Sequence, residues 1–390
     1  MRLLKGFRAD FNAFEGEHCK TKSRQLIEII QLILRRQATP KEYYSYRFYE
    51  LDKDYLYMMN FLFHYDLNKT FRPVLNKPEW VFIFRNKLLF NQYYGHHNLP
   101  VTNLYGYYDS EAGFSMDGKP LATAQHLQDL LARFYPPALV LKPVGGDCGT
   151  NILIFDKINY EEPEWQFITY SGREYTFNNL VEHLTKKADR SQYSGFILEA
   201  KVEQHEFTKL LNPSSLNTLR IITLLDKDNQ AEIILSSLRF GKEGIEIDNT
   251  ATGGYYFCIN PKQGVIATGL SSYKEGYKIE SRHPVTGECY KGLEIPYWDE
   301  VVRVCTEAAG LAPFCRSVGW DVAITPTGPL LLEGNNDHAI ITQGLFHGYL
   351  QPEVRNKLKQ FGLEYPEGEL PKIKINKIYD AVSKWSRRSG

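Results

Sequence analysis

Residues 318–336 decide the fold, and they run Val-Gly-Trp-Asp-Val-Ala-Ile-Thr-Pro-Thr-Gly-Pro-Leu-Leu-Leu-Glu-Gly-Asn-Asn. Two apolar runs flank a Pro-Thr-Gly turn signal, which is typical of a short β-hairpin. With Thr327 at the apex, Asp321 and Glu333 lie opposite each other on neighbouring strands. Asn335 follows two residues after Glu333, so its side chain leaves the sheet on the same face. The sequence therefore predicts two carboxylates and an amide oxygen at one spot.

Such a set of oxygen atoms suits magnesium. Buried carboxylates without partners are costly, so an interior strand that carries them needs a cation. We therefore interpret Asp321, Glu333 and Asn335 as metal ligands. The alternative is an ordinary surface hairpin whose polar side chains face water.

Composition limits the class of protein. The chain has 390 residues, enough for two or three lobes, and is 43% hydrophobic and 24% charged, as in soluble globular proteins. Its 46 basic residues balance its 46 acidic ones, so we expect neither a nucleic-acid nor a membrane partner. Six scattered cysteines without a CxxC pair argue against a zinc site. With no signal peptide and no long apolar span, we expect a cytoplasmic protein without a membrane span.

The order of patterns along the chain predicts five segments. They are a helical N-terminal region (1–75), a small α/β lobe (76–136), a lobe with a glycine-rich loop (137–205), a β-rich lobe with the metal site (206–350) and a helical tail (351–390). An apolar helix is expected to end at Arg35-Arg36, and another to span 298–311. The aromatic-rich stretch 43–65 is interpreted as core packing rather than a carbohydrate-stacking surface.

A glycine-rich turn follows a predicted strand that ends near Lys142. It contains Gly145, Gly146 and Gly149, whose backbone can approach phosphate oxygens closely because no Cβ intervenes. The lysine precedes the glycines, so this is not a Walker A loop. An ordinary hairpin turn explains the same residues equally well.

Two arginines, Arg220 and Arg239, are spaced equally about Asn229-Gln230, at the end of the polar turn 226–230 of a second predicted hairpin. Like charges that face each other destabilise a sheet unless an anion lies between them. A polyphosphate or an acyl phosphate is such an anion, and arginine forks suit its oxygens. A further polar turn, 248–254, contains Asn249.

Together these motifs resemble the ATP-grasp superfamily of ligases. The resemblance covers about residues 80–345 and rests on the lysine at 87, Lys142-Pro143, the hinge 196–199, the strand 217–220 and the closing metal hairpin. Segments 211–220 and 318–321 look most like the sugar-transfer-associated branch, with teichuronopeptide-synthesis proteins and ribosomal-protein glutamate ligases as relatives. The resemblance implies a mixed α+β and α/β ATP-grasp fold. In that fold two α+β lobes hold the nucleotide, and here a helical N-terminal region is added.

The resemblance also implies roles. It implies ATP and Mg²⁺ as cofactors, with Lys87 and Lys142 on the nucleotide phosphates under the 145–149 loop, Glu199 at the adenine amino group, the backbone at Val202 on the adenine edge, Glu206 at the ribose, and Asn249 in a ligand-facing turn. Arg220, Arg239 and Lys142 would act in catalysis, and Asp321, Glu333 and Asn335 would hold the metal. The N-terminal 75 residues lie outside the match and are expected to supply substrate contacts.

The implied reaction is ADP-forming ligation of a carboxylate to an amine through an acyl phosphate. The substrates would be small molecules: an amino acid joined to a sugar acid, another amino acid or an amine in glycan or natural-product biosynthesis. A kinase of a sugar or other small-molecule hydroxyl on the same fold is the alternative, and a non-catalytic nucleotide-binding protein is a third. The sequence leaves the oligomeric state open, with a homodimer as one option.

Overall fold

The structure is a computed structural model, and it describes residues 14–146, 151–161, 164–188, 195–241, 254–270, 279–280, 282–283 and 286–367. Its α-helices are α1 (Lys22–Arg36), α2 (Pro40–Ser45), α3 (Tyr55–Met59), α4 (His64–Asp66), α5 (Arg72–Leu75), α6 (Phe82–Arg85), α7 (Lys87–His96), α8 (Ala124–Phe134), α9 (Phe177–Ala188), α10 (Glu206–Lys209), α11 (Trp298–Leu311) and α12 (Pro352–Lys359). A π-helical turn (Leu67–Phe71) joins α4 to α5, and 3₁₀ turns span Pro78–Trp80 and Ile341–Leu345. Two predictions are confirmed: the first long helix ends at Arg36, and a helix spans residues 298–311.

The strands fall into three antiparallel sheets. They are β1 (Leu104–Tyr108), β2 (Phe114–Ser115), β3 (Leu139–Pro143), β4 (Leu153–Phe155), β5 (Lys157–Asn159), β6 (Gln166–Ile168), β7 (Glu174–Thr176), β8 (Phe196–Ala200), β9 (Thr218–Leu225), β10 (Ala231–Phe240), β11 (Tyr255–Asn260), β12 (Val265–Leu270), β13 (Ile279–Glu280), β14 (Ser317–Thr325) and β15 (Gly328–Asn335). The orders are β2-β1-β8-β3-β4, β13-β12-β11-β10-β9-β14-β15 and β5-β6-β7. The expected mixture of helices and sheets is therefore confirmed.

The chain divides into two compact units. The first comprises 1–77, 225–230 and 339–390, and the second comprises 78–224 and 231–338. Within the described ranges, no helix combines the length and the apolar character that a membrane crossing requires.

The first unit is built around an aromatic core. Its buried rings confirm that the aromatic-rich stretch packs internally, and they include Tyr43, Tyr44, Phe48, Phe61 and Phe63. A buried ion pair lies beside them, in which Lys20 Nζ donates to Glu28 Oε2 at 2.8 Å, and the Tyr43 hydroxyl donates to the same oxygen at 2.7 Å. Later residues complete this unit, since Gln343 exchanges hydrogen bonds of 2.8 and 3.0 Å with the backbone of Leu62.

The second unit contains all three sheets. Helices α8 and α9 pack an apolar layer against the five-stranded sheet, and its buried members include Leu127, Leu131, Leu141, Leu180 and Leu198. Helix α11 packs against β10, β14 and β15 of the seven-stranded sheet. Helix α7 lies beside β15, where Leu331 N–H also donates to the Pro100 carbonyl at 2.8 Å. These contacts place the start of α7 near the β14–β15 hairpin, which carries the predicted metal ligands.

Candidate active site

The closing hairpin forms as predicted, but by a different turn. Strands β14 and β15 pair with Asp321 opposite Glu333, and with Gly319 opposite Asn335. The turn is tight, because Thr325 pairs with Gly328, and the register then shifts by one residue beside Asp321. This β-bulge re-phases β15, since without it Asp321 would face Leu332 and Glu333 would leave on the other face of the sheet. The predicted apex at Thr327 is therefore wrong, although the predicted pairing is confirmed.

Asp321 lies between two arginines. Arg220 faces it on β9 and binds it through two nitrogens, Nε to Oδ1 at 2.5 Å and Nη2 to Oδ2 at 3.1 Å. Arg239 Nη2, from β10, lies 2.9 Å from Oδ2. The anion that the two arginines were expected to require is thus supplied in the protein itself by Asp321, which is buried.

The two carboxyl groups of the hairpin differ in their electrostatics. Burial alone would raise the pKa of Asp321, but the charges of Arg220 and Arg239 outweigh it and lower the pKa to about 2. Burial raises the pKa of Glu333, and repulsion by Asp321 adds to the rise, while Lys87 opposes it. Asp321 is therefore stabilised as an anion without any added cation, whereas Glu333 is not.

The donor chemistry of the hairpin fits magnesium. Among the described residues, no three His, Cys, Asp or Glu side chains group closely enough to hold a metal. An oxygen shell here would therefore need the amide of Asn335 and ligand oxygens besides the two carboxylates. Asn335 uses its Nδ2 atom toward Glu333 Oε1 and the Gly319 carbonyl, both at 3.4 Å, which points to its Oδ1 atom as the third donor. A cation there would also relieve the repulsion that raises the pKa of Glu333.

Asp321→Asn should lower the stability of the metal-free protein by at least about 2 kcal/mol at pH 7. The pKa of Asp321 in the folded protein lies below its ordinary value of 3.8, so the ionised carboxylate stabilises the fold above about pH 4 and ceases to do so as the pH falls toward 2. The substitution also leaves two arginines facing a neutral amide. Urea unfolding in EDTA measures the change, with the exposed Asp129→Asn as a control that should shift stability by less than about 0.5 kcal/mol. Equal midpoints for the two variants would contradict the role assigned to the arginine contacts.

Lys87 connects the glycine-rich turn to the hairpin. It is the first residue of α7, which Asn86 caps by accepting from Leu89 N–H at 3.0 Å. Lys87 N–H donates to the Val144 carbonyl at 2.9 Å, and its Nζ donates to the Gly146 carbonyl at 2.9 Å. The same Nζ lies 3.9 Å from Glu333 Oε2. One ammonium group therefore contacts the turn and approaches the second carboxylate of the hairpin.

The glycine-rich turn is described only in part. Gly146 has a φ of +118°, a conformation that favours glycine, and Gly145 beside it is buried. Gly149 and Asn249 lie outside the described residues. Their implied roles stay predictions.

Lys142 lies on β3 and forms an ion pair with Glu199 of β8. Glu199 is buried, and it also accepts from Thr102 Oγ1 at 2.7 Å. Asn91 Nδ2 in turn donates to Thr102 Oγ1 at 3.1 Å. An adenine amino group would therefore share the Glu199 carboxylate with a lysine and a threonine.

The other two implied nucleotide residues lie beyond β8. Val202 is half-buried two residues after the strand, and Glu206 is an exposed residue at the start of α10 that pairs with Lys209 at 3.2 Å. Their proposed contacts with adenine and ribose stay predictions.

Sequence reasoning assigned no role to Thr102 or Thr218, which contact predicted site residues. Thr102 supports Glu199 as described, and Thr218 accepts two hydrogen bonds from Arg239. His338 is buried, and its Nε2 lies 2.9 Å from Ser317 Oγ, so a role as a base for the amine is disfavoured. For Thr218 a signal was available, because it lies two residues before Arg220 and shares its face of the strand.

The sequence matches the family model described as sugar-transfer associated ATP-grasp over residues 66–355, well over half of the chain. The chain belongs to this family. Its fold is therefore the ATP-grasp fold, as the motif order implied. A comparison with curated proteins gave no match.

Solved structures of ATP-grasp proteins are similar at a distance. Biotin carboxylase of Campylobacter jejuni has 10% identity and a TM-score of 0.45, over 78% of this chain and 54% of that one. The D-alanine–D-alanine ligase of Coxiella burnetii has 10% identity and a TM-score of 0.39, over 79% and 59%. The ATP-grasp ligase PsnB, in complex with a precursor variant, Mg and ADP, has 14% identity and a TM-score of 0.38, over 74% and 61%.

This ATP-grasp chain thus spans little more than half the length of those proteins. Likeness at this level carries no information about its substrates.

Proposed function

We propose that this protein is an ATP-dependent, ADP-forming carboxylate–amine ligase that uses magnesium and acts through an acyl phosphate. The observation that carries the proposal is the position of Asp321. It lies opposite Glu333 in a set of oxygen atoms that suits magnesium, and it also contacts both Arg220 and Arg239. A magnesium ion held by such oxygens binds nucleotide phosphates, and the guanidinium groups of arginines suit a carboxylate or its phosphoryl derivative. Membership of an ATP-grasp family supports ATP as the nucleotide.

The reaction balances in two steps. A carboxylate oxygen attacks the γ-phosphorus of ATP, its P–O bond to the β-phosphate breaks, and ADP and an acyl phosphate form. The amine nitrogen then attacks the acyl carbon, the C–O bond breaks, and phosphate leaves with one oxygen of the original acid. The amine loses a proton as the amide forms.

The chain's own residues would act mainly by positioning and by charge. Lys87 and Lys142 would bind phosphate oxygens, and Gly146 would let the backbone of the turn approach them. Arg220 and Arg239 would orient the acid and stabilise charge on the transferring phosphoryl group. Asp321, Glu333 and Asn335 would hold magnesium, which when bound neutralises charge on the β- and γ-phosphates.

A ligase fits this site better than a kinase. A substrate carboxylate is already ionised at neutral pH, so its attack needs no base, whereas a hydroxyl has to lose a proton. Two adjacent arginines match the two oxygens of a planar carboxylate, whereas a sugar hydroxyl offers a single oxygen. We further propose an amino acid as one substrate and a sugar acid, an amino acid or a small amine as the other.

The test is incubation with ATP, magnesium and pools of amino acids and uronic acids, with ADP and new amides followed by mass spectrometry. If the protein is a ligase, ADP is released only when both an acid and an amine are present. An acid labelled with ¹⁸O in its carboxylate should transfer one labelled oxygen to phosphate. ADP formed with a hydroxyl compound alone would indicate the kinase, and AMP would contradict the acyl phosphate.

A further inference from the structure

Thr218 contacts the guanidinium of Arg239. Its Oγ1 accepts from Arg239 Nε at 3.1 Å and from Nη2 at 2.7 Å. The same Nη2 reaches Asp321 Oδ2 at 2.9 Å. Thr218 is buried and lies at the start of β9, on the face that carries Arg220. One hydroxyl oxygen therefore fixes one edge of the guanidinium group.

This contact matters because an arginine side chain is long and flexible. Its rotamer entropy amounts to about 2 kcal/mol, and a contact at a single point leaves the plane of the guanidinium undefined. Asp321 Oδ2 is a shared acceptor, since Arg220 Nη2 also reaches it at 3.1 Å. Any ligand that engages Asp321 competes with both arginines for that oxygen. Thr218 is a neutral acceptor that such a ligand leaves untouched.

Buried hydrogen bonds tie the backbone beside Thr218 to neighbouring segments. The fully buried Asn217 donates through Nδ2 to Gln204 Oε1 at 3.0 Å and to the carbonyls of Thr208 and Asn212 at 2.7 and 2.8 Å. Thr218 then pairs with Ala323 of β14. A buried hydrogen-bond network with satisfied members specifies one geometry, so the hydroxyl is held at a defined place.

We propose that Thr218 is a positioning residue, which keeps the guanidinium of Arg239 oriented toward the acyl and phosphoryl groups when Asp321 is engaged by a cation. The inference rests on the proposed function. It assigns a task to Thr218 within the segment 211–220, in which only Arg220 otherwise has a role in the proposed reaction.

Thr218→Val tests the proposal because it keeps the shape of the side chain and removes the acceptor. We expect kcat/KM for ATP-dependent amide formation to fall by about 10- to 100-fold, since hydrogen bonds to charged groups are involved. The fall should lie mainly in kcat, and Thr218→Ser, which restores the oxygen, should return to within about threefold of wild type. Thr218→Ala removes the oxygen without adding bulk and should fall like the valine variant.

The matched control is Thr223→Val on the same strand. Thr223 is equally buried, faces the other side of β9, and accepts from Trp320 Nε1 at 2.9 Å. This variant should lose stability but keep kcat/KM within about twofold. If Thr218→Val lowers kcat/KM no more than Thr223→Val does, or if Thr218→Ser fails to restore it, the positioning role is wrong.

A spectroscopic readout separates this proposal from the proposed function. In protein labelled with ¹⁵N at arginine Nε, the Arg239 signal can be assigned by its loss in Arg239→Lys. We expect Thr218→Val to shift that signal and to speed its exchange with water, whatever the substrate is. An unchanged signal would overturn the inference even in an active ligase. Absence of ATP turnover in the wild type would overturn the proposed function, and with it the acyl and phosphoryl groups as the target of Arg239, whereas the ¹⁵N signal would still test whether Thr218 orients that guanidinium.

Discussion

Glu333→Gln is expected to abolish ATP turnover while leaving the metal-free protein at least as stable as the wild type. Glutamine keeps the shape of the side chain but removes one of the two carboxylates that we assign to magnesium. Such a cation contributes several kcal/mol of charge stabilisation, so turnover should fall by at least about 1000-fold. The same charge has the opposite effect on folding.

That opposite effect follows from the raised pKa of Glu333. Burial and the neighbouring Asp321 disfavour its ionised form in the folded protein. A carboxyl group with a raised folded pKa costs stability once the pH exceeds its unfolded value, so a neutral glutamine removes a cost at pH 7. Asp321→Asn should do the reverse, because there the folded pKa is lowered. Two carboxylates that face each other thus give variants with stability changes of opposite sign.

The measurements are ADP release with magnesium and urea unfolding in EDTA. Glu307→Gln is a suitable control, since Glu307 forms an exposed pair with Arg303 at 3.0 Å that is worth less than about 1 kcal/mol. It should change neither quantity appreciably. Wild-type turnover in Glu333→Gln would contradict the assignment of Glu333 as a metal ligand. A large loss of stability would show that the charge of Glu333 does not destabilise the folded protein.

The pairing of Asp321 with Glu333 was predictable, but the route to it was not. Symmetry about Thr327 gives the correct partners, whereas the structure combines a two-residue turn with a bulge. Both solutions place the same residues face to face, because one residue removed from the turn is returned by the bulge. Periodicity reports which side chains share a face, and it does not report how the backbone achieves this.

The arginine pair shows a similar limit. Equal spacing about a turn predicted that Arg220 and Arg239 converge and need an anion. The structure confirms that they converge, on Asp321. Asp321 lies 101 positions after Arg220, and its proximity arises only when β9 pairs with β14. The sequence identified both halves of the cluster without showing that they touch.

The first unit was the least predictable part. Short helices and buried aromatic rings follow from composition, but the buried pair of Lys20 with Glu28 does not, because isolated charges are expected at the surface. Gln343 bonds to Leu62 across 281 positions, which no local pattern records. The segment boundaries drawn from the sequence stay a prediction.

Gly319→Ala is expected to damage both the fold and the site. Gly319 lies on β14 between Asn335 and Ile222 on the neighbouring strands, so its backbone has sheet partners on both sides. A Cβ atom there would lie 2.6 Å from the Cβ of His338 and 3.4 Å from the Cδ of Arg220. The closer atom belongs to the fixed end of a buried side chain whose ring bonds to Ser317, so it cannot rotate away.

Relief of this overlap requires a shift of His338 or of β14 itself. We expect a loss of about 1–3 kcal/mol in the free energy of unfolding. Turnover should also fall by about 100-fold, because displacing Arg220 or Asp321 by 1 Å misplaces the charges around the reacting groups. Gly310→Ala in α11 is the control, since a Cβ there meets nothing within 4 Å. It should stabilise the protein by about 0.4–1 kcal/mol and leave turnover unchanged. The two variants add the same methyl group. A Gly319→Ala protein as stable and active as Gly310→Ala would therefore mean that His338 does not restrict the space beside Gly319.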